Sequence, residues 1–130
     1  MSTSQRYSDP LGRYYTRSAV GAFLISQMPS IKPRRILDLG SGAGALSIAA
    51  LQRWSDAGVY AVDIDARAKN GFKIALGEGA RFEHIEEDAL SAALPGILAE
   101  RTSFLDAAVC NPPFTTPAWR PHFLEILESV

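Results

Sequence analysis

Residues 35–45 read Arg35-Ile36-Leu37-Asp38-Leu39-Gly40-Ser41-Gly42-Ala43-Gly44-Ala45, and the chain continues Leu46-Ser47-Ile48-Ala49-Ala50-Leu51. A short apolar run ends in three alternate glycines. The residues after them are apolar at helical spacing, so the stretch reads as strand, tight turn and helix. Glycine has no Cβ and tolerates positive φ, so such a turn lets the backbone come close to a ligand. Gly40, Gly42 and Gly44 provide that freedom.

Along the rest of the chain the same alternation repeats. Residues 59–64, 81–85 and 105–110 read as further strands. Helices are expected over residues 16–28, 45–54 and 66–76, with Asp65 placed to cap the third. A weaker helix lies between residues 89 and 100, interrupted by Pro95-Gly96. A last one starts near Arg120, with Phe123, Ile126, Leu127 and Val130 on one face. In the first helix, Val20, Phe23, Leu24 and Met28 share a face, and the segment from Pro29 to Pro33 ends it. Strands alternating with helices predict right-handed βαβ units and a parallel sheet. Residues 1–13 read as a loose lead-in and 14–130 as the folded domain. The last helix has no strand after it, so one sheet edge is expected to lack its usual neighbours.

Bulk properties narrow the class. At 130 residues the chain is one domain. It is 47 % hydrophobic and 21 % charged, ordinary for a soluble globular protein. No apolar run approaches the roughly 20 residues that span a bilayer, and the polar start has no signal-peptide core. A single cysteine leaves no internal disulfide, and no Cys/His cluster has zinc-ligand spacing. A cytoplasmic protein without structural metal is expected. The net charge of −1 hides an asymmetry. Residues 1–35 carry 6 basic and 1 acidic side chains, 6 − 1 = +5, and the rest carry 7 and 13, 7 − 13 = −6. The positive segment can face phosphates or can be ordinary solvated surface. The chain as a whole is not basic enough to clamp DNA unaided.

Two groups of residues carry chemistry. The second strand ends in Val62-Asp63, where a carboxylate can accept both hydrogen bonds of a ribose diol. Dinucleotide and adenosylmethionine sites both use that arrangement. Asp38, at the end of the first strand, suits an amine-bearing cationic ligand better than a pyrophosphate. Asp88 comes after the third strand and can accept from an adenine amino group or cap a helix. The fourth strand runs into Asn111-Pro112-Pro113-Phe114. Consecutive prolines remove two backbone donors and leave the Pro112 carbonyl free to accept. Asn111 adds a side-chain oxygen and Phe114 a π face. A planar amine could donate to both oxygens while its ring stacks on Phe114.

On these residues the chain resembles the class I S-adenosyl-L-methionine-dependent methyltransferases. Within them it is similar to the group that methylates amino nitrogens through an Asn/Asp-Pro-Pro-aromatic motif. The stretch from Leu11 to Val20 looks like the segment that precedes the glycine loop in N6-adenine DNA methyltransferases. Arg17 stands where that family usually has proline. The resemblance covers roughly residues 10–115. It implies a Rossmann-like α/β fold of about four parallel strands with flanking helices, lacking the C-terminal strands and target-recognition domain of the full enzymes. By position it implies that Tyr15, Thr16, Asp38, Gly40, Gly42, Gly44, Asp63 and Asp88 hold the cofactor, and that Asn111, Pro112, Pro113 and Phe114 orient the target amine.

The function implied is methyl transfer to an exocyclic amino nitrogen, first of all adenine N6 in DNA, as in restriction-modification systems. RNA or a protein glutamine presents the same planar geometry. A second reading is a truncated, non-catalytic cofactor-binding subunit that needs a complementing protein partner or self-associates. A third, a nicotinamide-dependent oxidoreductase, leaves the Asn-Pro-Pro-Phe stretch unexplained. His84 and His122 are expected to be structural or surface residues and Cys110 a small buried one; Trp119 and Phe123 can line a substrate entrance but are expected to pack in the core or an interface. The carboxylates Glu83, Glu86, Glu87 and Asp88 are not spaced as a metal site.

Overall fold

A computed structural model of the chain describes residues 18–65, 81–102, 104–110 and 119–129. In chain order these form helix α1 (Ser18–Ser26), strand β1 (Arg35–Leu39), helix α2 (Ala45–Arg53) and strands β2 (Gly58–Asp63) and β3 (Phe82–Glu86). Then come helix α3 (Leu94–Arg101), strand β4 (Ala107–Cys110) and helix α4 (Trp119–Ser129). The strands make one parallel sheet in the order β3-β2-β1-β4. The lead-in 1–13, the helix expected over 66–76 and residues 111–114 lie outside the described residues.

The sheet is buried on both faces because its central strands are apolar at consecutive positions, as a doubly covered parallel sheet requires. Ile36, Val59 and Ala61 face one side, against Leu46, Ala49 and Ala50 of α2 and Ile25 of α1. Leu37, Leu39, Val62 and Ile85 face the other, against Leu94 and Leu98 of α3 and Phe123 and Ile126 of α4. The register sets Asp38 beside Ala61 on one side and beside Val109 on the other. The chain moves from β1 outward to β2 and β3, then returns to place β4 against the other side of β1. That reversal puts a crevice at the carboxyl ends of β1 and β4, where open α/β sheets bind ligands.

Three local features differ from the sequence expectation. In α1 the buried residues are Gly21 and Ile25, while Val20, Phe23 and Leu24 are exposed. Gly21 decides this, because a Cβ there would stand 3.0 Å from the Ala45 carbonyl oxygen. The helices meet through the missing side chain rather than through the apolar stripe. Pro95 does not interrupt α3; it sits in the first turn, where its absent N–H leaves no helical bond unmade. In α4, Phe123 and Ile126 are buried as expected, but Leu127 is exposed.

A fourth difference concerns β4. It begins at Ala107, not Leu105, because Asp106 is diverted into capping. Its carboxylate accepts the Arg34 amide at 2.9 Å and the Arg35 amide at 2.9 Å, fixing the entry to β1. Cys110 is exposed rather than buried, since β4 is an edge strand whose residues alternate between half-buried and exposed. The end of α1 is held by Arg53, whose guanidinium donates to the carbonyls of Ile25, Met28 and Pro29. Among the described residues no helix is long and apolar enough to cross a membrane.

Candidate cofactor and transfer site

The loop between β1 and α2 takes its shape from its glycines. Gly40, Gly42 and Gly44 all have positive φ, at 79°, 54° and 89°. A side chain at any of them would strain the backbone. The loop is tied to the end of β2. The Gly40 and Ser41 amides donate to the Val62 carbonyl at 2.8 and 2.9 Å. The Gly42 amide donates to Asp63 Oδ2 at 2.8 Å, and the Asp65 amide donates to Asp63 Oδ1 at 2.8 Å. Asp63 is 6 % exposed. The acid expected to receive a ribose diol therefore also clamps the glycine loop.

Asp38 is fully buried. Its Oδ2 accepts a 2.5 Å hydrogen bond from the Ser47 hydroxyl. Its Oδ1 is buried and has no partner among the described residues. Burial, reinforced by the nearby Asp63 charge and opposed by the Ser47 bond, pushes its carboxyl up to about 7. A buried carboxylate with one oxygen unpaired lacks a donor or a cation. Ser47 escaped the sequence reading; the available signal was a lone hydroxyl on an otherwise apolar helix face. Ser41, also buried, presents a hydroxyl without a partner among the described residues at the same loop.

Asp88 is exposed, two residues beyond β3 at the same end of the sheet. Its Oδ1 accepts the Leu90 amide at 2.9 Å and its carbonyl accepts the Ser91 amide at 2.9 Å. It closes a turn and does not cap α3, whose N-cap is Ala93. The structure thus brings Asp38, Gly40, Gly42, Gly44 and Asp63 into one constellation, with Asp88 at its margin. Asn111 comes directly after Cys110, which pairs with Leu39 at the end of β1. Residues 111–114, Tyr15 and Thr16 lie outside the described residues. Among the described residues no three His, Cys, Asp or Glu side chains group as a metal would require.

A parallel sheet with a glycine loop after β1, an acid after β2 and a crevice at the β1/β4 reversal defines the nucleotide-binding α/β class. Residues 19–124 match the family described as methyltransferase small domain, and the chain belongs to that family. It is 36 % identical over 101 residues to ribosomal RNA large subunit methyltransferase G of Shewanella amazonensis, covering 73 % of this chain and 24 % of that protein. It is 33 % identical over 99 residues to the tRNA1(Val) (adenine(37)-N6)-methyltransferase of Vibrio parahaemolyticus, covering 75 % and 39 %. It is 30 % identical over 92 residues to ribosomal RNA small subunit methyltransferase C of Hahella chejuensis, covering 70 % and 25 %. The chain spans about a quarter to two-fifths of the length of these relatives. A solved O-methyltransferase family protein from Burkholderia thailandensis shares the fold, with a TM-score of 0.52 at 21 % identity over 60 % of this chain and 24 % of that one.

The cofactor of the domain is S-adenosyl-L-methionine. The residues present fit it. An unpaired, buried carboxylate oxygen suits an ammonium group, and positive-φ glycines keep the loop free of side chains. The buried Asp38 beside the loop, with one oxygen unpaired, suits an ammonium better than a pyrophosphate, which favours this cofactor over the dinucleotide reading. These relatives act on RNA, so the expectation of a DNA target draws no support from them.

Proposed function

We propose that this domain binds S-adenosyl-L-methionine at the carboxyl ends of β1 and β2 and transfers its methyl group to an exocyclic amino nitrogen of a base in RNA. The observation that carries the reading is the β1/β4 reversal. It makes the strand end bearing Asp38 and the glycine loop the neighbour of the strand that leads into Asn111-Pro112-Pro113-Phe114. The names of the relatives support RNA over DNA.

The cofactor, when bound, supplies a methyl group already activated on a sulfonium. Asp38 and the glycine loop would hold its amino-acid end and Asp63 its ribose, with Asp88, Tyr15 and Thr16 as the further cofactor-binding residues. Asn111 Oδ1 and the Pro112 carbonyl accept the two amine hydrogens, and Phe114 stacks on the base. Those acceptors favour a pyramidal nitrogen whose lone pair points at the methyl carbon. The proton that the amine gives up on accepting the methyl group would leave to solvent. Positioning of this kind can lower a barrier by about 7–11 kcal/mol, and no dedicated base is required. A base in a helix must first be flipped out, at a few kcal/mol.

The test traces methyl label from S-adenosyl-L-methionine into RNA, DNA and a glutamine peptide, with the chain and its Asn111→Ala variant. The proposal expects label on an RNA amino nitrogen, lost in the variant while cofactor still binds. Label only in DNA or peptide refutes the RNA assignment. Transfer to RNA undiminished by Asn111→Ala refutes the role of the motif.

A further inference from the structure

Charge in this domain is sorted along the strand axis. The carboxyl ends of the strands carry Asp38, Asp63, Asp65, Glu86, Glu87 and Asp88. That surrounding attracts a cationic cofactor and repels a polyanion. At the opposite end of the sheet an open cavity of about 1160 Å³ is lined by five cations, Lys32, Arg34, Arg35, Arg53 and Arg81, with Phe104 at its wall. The anions lining it are Asp56 and Glu83, with Asp106 close to Arg34, and Glu83 is engaged by Arg101. Lys32, Arg34 and Arg81 are exposed. Lys32 and Arg81 form no ion pair among the described residues.

The cavity is built rather than merely charged. Asp106 holds the Arg34 and Arg35 amides, so the backbone carrying two of the cations is fixed. The Arg35 guanidinium lies 4.5 Å from the centre of the Phe104 ring, and that ring is 44 % exposed. The Arg53 guanidinium lies 4.6 Å from the Trp54 ring. Trp54 is buried, so the exposed Phe104 ring is the aromatic face among these cations; phosphate-binding cations beside an exposed ring are the two components of sequence-tolerant single-strand binding.

We propose that this cavity, at the amino ends of the strands, is a second RNA-contacting surface that anchors the phosphate backbone away from the transfer site. β1 alone spans roughly 15 Å, so an RNA held here is too far from the carboxyl ends of the strands to react at the point of contact. The surface sets affinity without touching chemistry. The identity of the polyanion rests on the RNA reading above; the existence of the phosphate surface does not.

The experiment measures binding of a labelled single-stranded oligouridine by fluorescence anisotropy across a salt series. The full chain is compared with the triple variant Lys32→Gln/Arg34→Gln/Arg81→Gln and with Phe104→Ala. The far-UV circular dichroism and urea midpoint of each variant serve as the control for an intact fold. The proposal expects the triple variant to bind at least about tenfold more weakly. Its log-affinity against log-salt slope should be shallower by about 2, from about 0.7 per lost phosphate contact. Phe104→Ala should weaken binding by about tenfold with the slope unchanged. An unchanged affinity and slope in a folded triple variant overturns the proposal, as does polyglutamate of matched charge binding as tightly as the RNA. Because this readout needs no methyl transfer, it can succeed where the methyl-label experiment fails, and the reverse.

Discussion

The unpaired oxygen of Asp38 makes a quantitative prediction about cofactor affinity. A carboxyl moved from 3.8 to about 7 by burial represents about 4 kcal/mol, at about 1.4 kcal/mol per pH unit. The folded-state value is raised, so the empty domain holds this stability below pH 3.8 and loses it as pH climbs through about 7. A bound ammonium group at Oδ1 reverses the balance by favouring the ionised form. The proton must therefore leave Asp38 when the cofactor binds near neutrality. Linkage then makes S-adenosylhomocysteine bind about tenfold more weakly at pH 6 than at pH 8, with little further gain above it. Titration calorimetry at several pH values, in buffers of different ionisation enthalpy, reads both the affinity and the released proton. Asp38→Asn should bind weakly at every pH and lose the pH dependence. An affinity flat between pH 6 and pH 8, or a slope retained in Asp38→Asn, refutes the assignment of the ammonium to this oxygen.

Packing and capping set three more expected outcomes. Gly21→Leu places side-chain atoms against the Ala45 carbonyl, where even a Cβ would stand at 3.0 Å, and should destabilise the fold by about 1–3 kcal/mol in urea titration. Ile126→Ala empties a fully buried position between α4 and the sheet and should cost about 2–5 kcal/mol by the same measurement. For Asp106, partial burial pulls its carboxyl upward, but the Arg34 and Arg35 amides outweigh it and hold it below 3.8. Its stabilisation is present above that value and disappears as pH falls through the lower folded-state value. Asp106→Asn should therefore lower stability in the neutral region, where the carboxylate acts, and flatten the acid limb of the stability-pH curve.

Strands β1, β2 and β4 were legible because each is a short apolar run closed by a glycine, an aspartate or the Asn-Pro-Pro stretch, and β3 because Phe82 and Ile85 stand in an extended segment between stretches of helical pattern. The glycine loop and Asp63 were legible because ligand approach at a strand end needs those residue types. The strand order was not, since periodicity says nothing about which side of β1 receives β4. The burial of α1 was misread for a physical reason. The spacing of Val20, Phe23 and Leu24 points to a stripe, whereas the contact is set by Gly21, a residue with no side chain to signal it. Ser47 was missed because its task depends on Asp38, nine positions away in sequence and joined only by the fold. Asp106 was read as a strand residue because its partners are backbone amides, which no side-chain pattern reveals. The basic cavity gathers Arg53 and Arg81 beside Lys32, Arg34 and Arg35, and only the last three were visible as a positive segment.

Whether the ends of β1 and β2 form a site for S-adenosyl-L-methionine decides everything built on them. Isothermal titration of the chain with S-adenosyl-L-methionine and separately with NADH, repeated on Gly42→Val and Asp63→Ala, tests it at the site itself. One S-adenosyl-L-methionine per chain, no heat from NADH and loss of binding in both variants are expected. NADH binding in place of S-adenosyl-L-methionine, or a folded chain that binds neither, would contradict it.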